Sequence, residues 1–310
     1  MSSAEIDAAA ELADFFRFNV AYAQEIYNKQ PTLHAQGNFG RIEWRPLEGF
    51  VYAISPFNFT AIGGNLVSAP AVIGNPSPSS VYPSYLVYKI LLEAGLPPDV
   101  IQFVTSNAEL ITRTVYDHKG FAALHFTGLS DVFKHLYGKA AEGVVKGKYR
   151  DFPRIVSKTS GKNFHLVHKS ADIGNAIKHT IRAAFEYSGQ KYSACSRIYI
   201  PESKAERFLS KIKKELEQVK VGYREDFRNF LGPVIQGIAA IIDAANKDEK
   251  LERVIGGTYS GSEGCFIDPS VYITKDINHH LSNQEIFSPV LLAYVYRDKE
   301  FEQLLSTINK

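Results

Sequence analysis

From Ala4 to about Asn28 the apolar residues Ile6, Ala9, Leu12, Ala13, Phe16 and Val20 recur at helical spacing, which predicts a long amphipathic helix. Arg41 to Ser55 reads as strand, with Leu47-Glu48-Gly49 turning the chain into the apolar run Phe50–Ile54. A helical stretch is expected from there to Gly74, and another helix from Pro83 to Ala94, stopped by Gly95 and Pro97-Pro98. Strand Val100–Val104, helix Asn107–Asp117, strand Phe121–Phe126 and helix Ser130–Val144 follow. After Arg154 the alternation resumes with strand Asn163–His168, helix Asp172–Tyr187, strand Arg197–Ile200 and helix Lys204–Lys220. A helix near Ala239–Ala245 and the apolar strand Pro289–Tyr296 complete the pattern. Strands alternating with helices at this spacing predict an α/β fold with a doubly wound parallel sheet. One segment breaks the rhythm. Pro76-Ser77-Pro78-Ser79-Ser80 lies where such a sheet ordinarily has a strand, and proline cannot donate a ladder hydrogen bond.

Composition narrows the class. A chain of 310 residues, 45% hydrophobic, can bury a substantial core and is expected to form two domains. Lys+Arg 35 against Asp+Glu 33 leaves a net charge of +2, and no dense basic run is interleaved with aromatics, which argues against a nucleic-acid partner. Apolar runs are interrupted well short of a bilayer span, so no membrane span is expected. The two cysteines, Cys195 and Cys265, are too few for a disulfide framework and fit a reducing compartment. The start, MSSAEIDAAAEL, is acidic and helical, unlike a signal or transit peptide.

Five stretches carry candidate chemistry: ISPFNFTAIGGN (Ile54–Asn65), HFTGLSDVFKH (His125–His135), SGKNFHLVH (Ser160–His168), EYSGQKYSACSR (Glu186–Arg197) and EIFSPV (Glu285–Val290). In order and content they resemble the aldehyde dehydrogenases. PFNF and the pattern Gly-Gln-Lys-x-Ser-Ala-Cys resemble the 1-pyrroline-5-carboxylate dehydrogenases, which oxidise glutamate γ-semialdehyde to glutamate with NAD in proline breakdown. The resemblance implies a Rossmann-type NAD-binding domain over residues 1–165 and part of a catalytic-type α/β domain over 166–310. It also implies a mitochondrial matrix location, with the cytoplasm as the alternative, and a homo-oligomer or other protein assembly. Among the residues it assigns Asn58 to the oxyanion, and Phe57, Thr127, Gly128, Glu285 and Phe287 to the cofactor. Ser193 is assigned to the substrate, and no metal is expected.

The family's chemistry needs a thiolate to attack the aldehyde carbon, donors for the oxyanion, a nicotinamide for the hydride and a base for thioester hydrolysis. Here the residue directly after Gly-Gln-Lys is Tyr192, and the thiol comes three positions later as Cys195. A phenol with a reference pKa near 10 is a poor nucleophile at neutral pH. Cys195, between small residues and a strand, is expected to be a packed structural thiol. The position of the family's general base holds Lys158, a reversal of charge where water must lose a proton. Ser160 replaces the first glycine of Gly-Gly-Lys-Asn, Leu129 replaces the serine of FTGS, and Ser288 replaces a glycine in EIFGP. GNPSPSS joins Asn75 to Pro76 directly, without the apolar strand and Trp-Lys whose lysine contacts the adenosine ribose. Relative to the family pattern the chain matches a middle portion. Three readings follow: a relative without catalytic power, acting as scaffold or subunit; an active or residual dehydrogenase; or a degraded gene product.

Overall fold

The computed structural model describes residues 6–68, 72–223, 225–235, 238–261 and 264–309. It divides into two compact units, residues 2–159 and 160–310. The boundary expected at residue 165 falls inside a strand, Asn163–Leu166, whose sheet partners all belong to the second unit.

In the first unit a π-helical turn, Ile6–Glu11, runs into α1, Leu12–Asn28. The helix forms as its periodicity predicts, yet none of its residues is fully buried. Its start approaches α2 (Thr60–Ser68) at Gly64, where an added Cβ would lie 3.3 Å from Leu12 Cδ2. The remaining elements are β1 (Phe50–Ser55), β2 (Val72–Pro76), α3 (Val81–Glu93), β3 (Ile101–Phe103), α4 (Ala108–Asp117), β4 (Phe121–Gly128), α5 (Ser130–Val145) and β5 (Arg154–Thr159). The strands pair in parallel in the order β3-β2-β1-β4-β5, so the winding direction reverses between β1 and β4.

Two expectations are corrected here. Arg41–Leu47 is not strand; its backbone is held instead by Gln30, whose Oε1 accepts from the Ile42 N–H at 2.9 Å and whose Nε2 donates to the Ile42 carbonyl. The helix after β1 ends at Ser68, and Val72–Pro76 forms a strand paired with β1 over its whole length. The sheet therefore has no gap at the Pro/Ser segment. Ladder bonding is a backbone property, so residues just upstream of the cluster supply the strand. Proline is confined to its last position, Pro76 opposite Ser55.

Both faces of this sheet are covered, as its mostly apolar strands require. Tyr52, Phe121, Leu124 and Phe126 pack with Ile111, Val115, Leu136 and Ala140 of α4 and α5, while Val51, Ala53 and Ala123 pack with Leu66 of α2. Each fully buried large side chain contributes roughly 1.5–3 kcal/mol. Helix α4 starts where Asn107 Oδ1 accepts from the N–H groups of Glu109 and Leu110.

The second unit holds β6 (Asn163–Leu166), α6 (Ile173–Phe185), β7 (Cys195–Pro201), α7 (Glu202–Leu216), α8 (Ala239–Lys247) and β8 (Leu251–Ile255). A small hairpin, β9 (Tyr259–Ser260) and β10 (Phe266–Ile267), precedes β11 (Ser270–Thr274), α9 (His280–Asn283), β12 (Val290–Tyr296) and α10 (Phe301–Ile308). Its main sheet has the order β6-β7-β12-β11-β8, parallel except for β8. Asp172 caps α6 by accepting from the Asn175 N–H at 2.7 Å. Among the described residues no helix is long and apolar enough to cross a membrane.

Candidate active site

In the first unit the sequence-assigned residues collect at the C-terminal ends of neighbouring parallel strands. Phe57 and Asn58 follow β1, Thr127 and Gly128 end β4, and Lys158 lies opposite Thr127 in the β4–β5 register. This is the edge where the winding reverses between β1 and β4, the place at which open α/β sheets bind ligands. Thr127 is buried, Asn58 and Phe57 are half-buried, and Lys158 is exposed. Gly128 is required by packing, since a Cβ there would meet the Phe126 ring at 2.7 Å. Helix α5 begins directly after this turn, and Leu129 offers it no side-chain cap. A groove of about 530 Å³ runs between α4 and α5, lined by Ala108, Thr112, Tyr116, Val132, His135 and Leu136 among others. No sequence motif pointed to it, because it arises from the spacing of two helices.

In the second unit the stretch after α6 is a strained turn. Tyr187 (φ 57°), Ser188 (φ 56°) and Gly189 (φ 70°) are successive left-handed residues, and two of them carry side chains that disfavour that conformation. The surroundings hold it in place. Ser188 Oγ donates to the Gly232 carbonyl at 2.9 Å and accepts its N–H at 3.1 Å. Gln190 Oε1 accepts from the Ile235 N–H at 3.1 Å, and Lys191 Nζ pairs with Glu186 at 2.8 Å, both side chains largely buried. Gly189 has no room for a Cβ, which would sit 2.3 Å from the Ser288 carbonyl oxygen.

This turn delivers Tyr192, and the other motif residues of the unit gather around it. The Tyr192 ring lies 5.4 Å from that of Phe287, itself left-handed at φ 56°. Asn163 Nδ2 donates to the Tyr192 carbonyl at 2.6 Å, and Glu285 Oε1 accepts the Gly161 N–H at 2.9 Å. Burial, and next the charge of Glu285, raise the Tyr192 phenol to about 12. Ser193 is exposed. Cys195 opens β7, buried, with its S–H donating to the Arg197 carbonyl at 3.2 Å. Burial raises its thiol to about 11, so the thiolate is scarce at neutral pH. Among the described residues Asp248, His279 and His280 also bring potential ligand atoms within 4.8 Å of one another. His279 is already committed on both nitrogens: Nδ1 accepts from the Leu281 N–H to cap α9, which leaves Nε2 to donate to Asp248 at 2.9 Å.

The model of the aldehyde dehydrogenase family matches residues 1–310. The chain belongs to the aldehyde dehydrogenase family. It is 56% identical over 305 residues to the mitochondrial delta-1-pyrroline-5-carboxylate dehydrogenase of Emericella nidulans, covering 95% of this chain and 53% of that protein. It is 46% identical to a probable delta-1-pyrroline-5-carboxylate dehydrogenase of Schizosaccharomyces pombe, covering 99% of this chain and 58% of the relative. Among solved structures, the NAD-bound delta-pyrroline-5-carboxylate dehydrogenase of Mycobacterium tuberculosis superposes with a TM-score of 0.91 at 38% identity, covering 98% of this chain and 57% of that one. The chain thus spans little more than half the length of the relatives it matches. This family member keeps the α/β architecture of those structures, with parallel-sheet, Rossmann-like elements.

Proposed function

We propose that this chain is an aldehyde dehydrogenase-family protein that does not oxidise aldehydes and serves as a structural subunit or scaffold in a protein assembly. The observation that carries the reading is Tyr192: the position after Gly-Gln-Lys presents a half-buried phenol, raised to about 12, with its ring against Phe287. A phenol so held is neutral at physiological pH and cannot add to an aldehyde carbon as a thiolate does. The thiol three residues on is packed and directed at backbone. Lys158, exposed, puts an amine where the family has its carboxylate base.

The residues present fit the phosphate end of NAD better than its reactive end. Thr127, Gly128 and the uncapped start of α5 would hold a pyrophosphate through backbone N–H groups, beside the exposed ammonium of Lys158. The groove between α4 and α5 would take the adenosine. When bound, NAD supplies a hydride acceptor; this chain supplies no covalent intermediate from which the hydride would leave. Asn58 retains the amide donor assigned to an oxyanion. The relatives named mitochondrial support a mitochondrial place for the chain.

The test is NADH formation from Δ1-pyrroline-5-carboxylate and, separately, NAD binding by calorimetry. No turnover above background is expected whether or not NAD binds. Turnover near 1 s⁻¹, the low end for ordinary enzymes, would overturn the reading.

A further inference from the structure

The amine of Lys162 has no part in the chemistry above. Lys162 stands one residue before β6, and its Nζ is buried with no hydrogen bond among the described residues. Arg197, on the neighbouring strand β7, reaches across and donates from Nη2 to the Lys162 carbonyl at 2.7 Å. Its guanidinium lies over the Phe164 ring, 5.8 Å from the centroid, and its Nε is also buried without an acceptor. Lys162, just before β6, and Arg197 of the neighbouring β7 therefore each hold an enclosed N–H donor unsatisfied, which an anion reaching both would relieve.

The amine is chemically unlike a surface lysine. Burial first, and repulsion from Arg197 second, lower it to about 8; Glu285 and the Cys195 sulfur act weakly the other way. The Glu285 carboxylate is engaged by the Gly161 N–H at 2.9 Å and makes no ion pair with Lys162. At pH 8 roughly half of Lys162 is the free base, against less than about 1% of an ordinary lysine. The enclosed Nζ excludes large acyl donors and aldehydes, so its partner must be small, electrophilic and anionic once bound.

We propose that Lys162 is a carbamate site: its neutral amine takes up carbon dioxide, and Arg197 holds the carbamate formed. The nitrogen lone pair attacks the carbon, an N–C bond forms, and one C–O π bond opens to an oxyanion. The nitrogen then releases one proton to water, with no change of oxidation state. The neutral amine thereby becomes an anion, which Arg197 attracts, and a carbamate oxygen accepts the Nε–H. Glu285 is the charge that opposes the product, and its bond to Gly161 keeps part of that charge satisfied.

The intact chain is equilibrated with ¹³C-bicarbonate at pH 8, and carbamates are trapped by O-ethylation with triethyloxonium before peptide mass spectrometry. A ¹³C-labelled ethoxycarbonyl group on Lys162 is expected. It should be absent from Lys162→Arg and reduced more than fivefold in Arg197→Gln. A ¹³C carbamate resonance in the untreated protein, lost on unfolding, is the second readout and needs no variant to fold. Label confined to surface lysines and the α-amino group, with no protein-bound resonance, overturns the proposal.

Discussion

The rings of Tyr192 and Phe287 stand 5.4 Å apart and tilted by 46°, and Glu285, two residues before Phe287, raises the Tyr192 phenol further. The residue at the nucleophile position is thus a half-buried ring set against Phe287. Replacing it should alter both chemistry and packing. Tyr192→Cys is expected to gain slow hydrolysis of p-nitrophenyl acetate, because acyl transfer needs a thiol and a donor such as Asn58 but no cofactor. It should form no NADH from Δ1-pyrroline-5-carboxylate, and adding Lys158→Glu should not change that, because Asn75 runs directly into Pro76 without the Trp-Lys whose lysine the family uses on the adenosine ribose. Parallel assays of ester hydrolysis and NADH formation check this; robust NADH formation by the double variant would contradict it.

Cys195 should be inert in the folded protein. With its thiol raised to about 11, roughly 1 in 10⁴ molecules carries the thiolate at pH 7. Iodoacetamide is expected to label the half-buried Cys265 first, and Cys195 at least about a hundredfold more slowly than in denaturant. Time-resolved labelling with peptide mass spectrometry distinguishes the two. Preferential labelling of Cys195 would mean that the strand start opens.

Gly161 and Gly189 should tolerate no side chain. A Cβ on Gly161 would lie 1.9 Å from the Tyr192 carbonyl oxygen, and one on Gly189 would lie 2.3 Å from that of Ser288. Both obstacles are backbone atoms, so neither can rotate away. Gly161→Ala and Gly189→Ala are each expected to cost about 3 kcal/mol or more, read as a lower urea midpoint. Gly138→Ala, at a helical site with open space around it, serves as the control and should be neutral or slightly stabilising.

Lys162 should give the stability a distinctive pH dependence. The folded amine loses its proton near pH 8, whereas the unfolded one keeps it to about 10.5. Between those values the unfolded chain binds more protons, so this group makes stability rise with pH; below about 8 the full cost of burying the charge is present. In buffer free of carbon dioxide, Lys162→Met is expected to be about 1–3 kcal/mol more stable than the parent at pH 7. The gap should close by about pH 10. Urea midpoints at the two pH values provide the measurement, and an equal gap at both would contradict the assignment.

Much of the architecture was legible from local signals. Apolar periodicity placed most helices and central strands, and the caps at Asn107 and Asp172 act within a few residues of themselves. The substitutions at Tyr192 and Lys158 were visible at once, because they are departures from an ordered set of motifs. Local signals also misled. The proline-rich run near Pro76 argued for a missing strand, yet Val72–Pro76 pairs with β1, because a ladder depends on which backbone lies alongside rather than on a segment's own composition.

What only the tertiary structure decided are meetings between residues distant in the chain. The Arg197 guanidinium reaches the Lys162 carbonyl because β6 and β7 are neighbours in the sheet, and Tyr192 meets Phe287 because two separate turns converge. The sequence names each of these side chains but not its burial. It is burial that turns a lysine into a half-neutral amine, a tyrosine into a packed ring and a cysteine into an inert thiol, since desolvation depends on what the whole fold places around a charge.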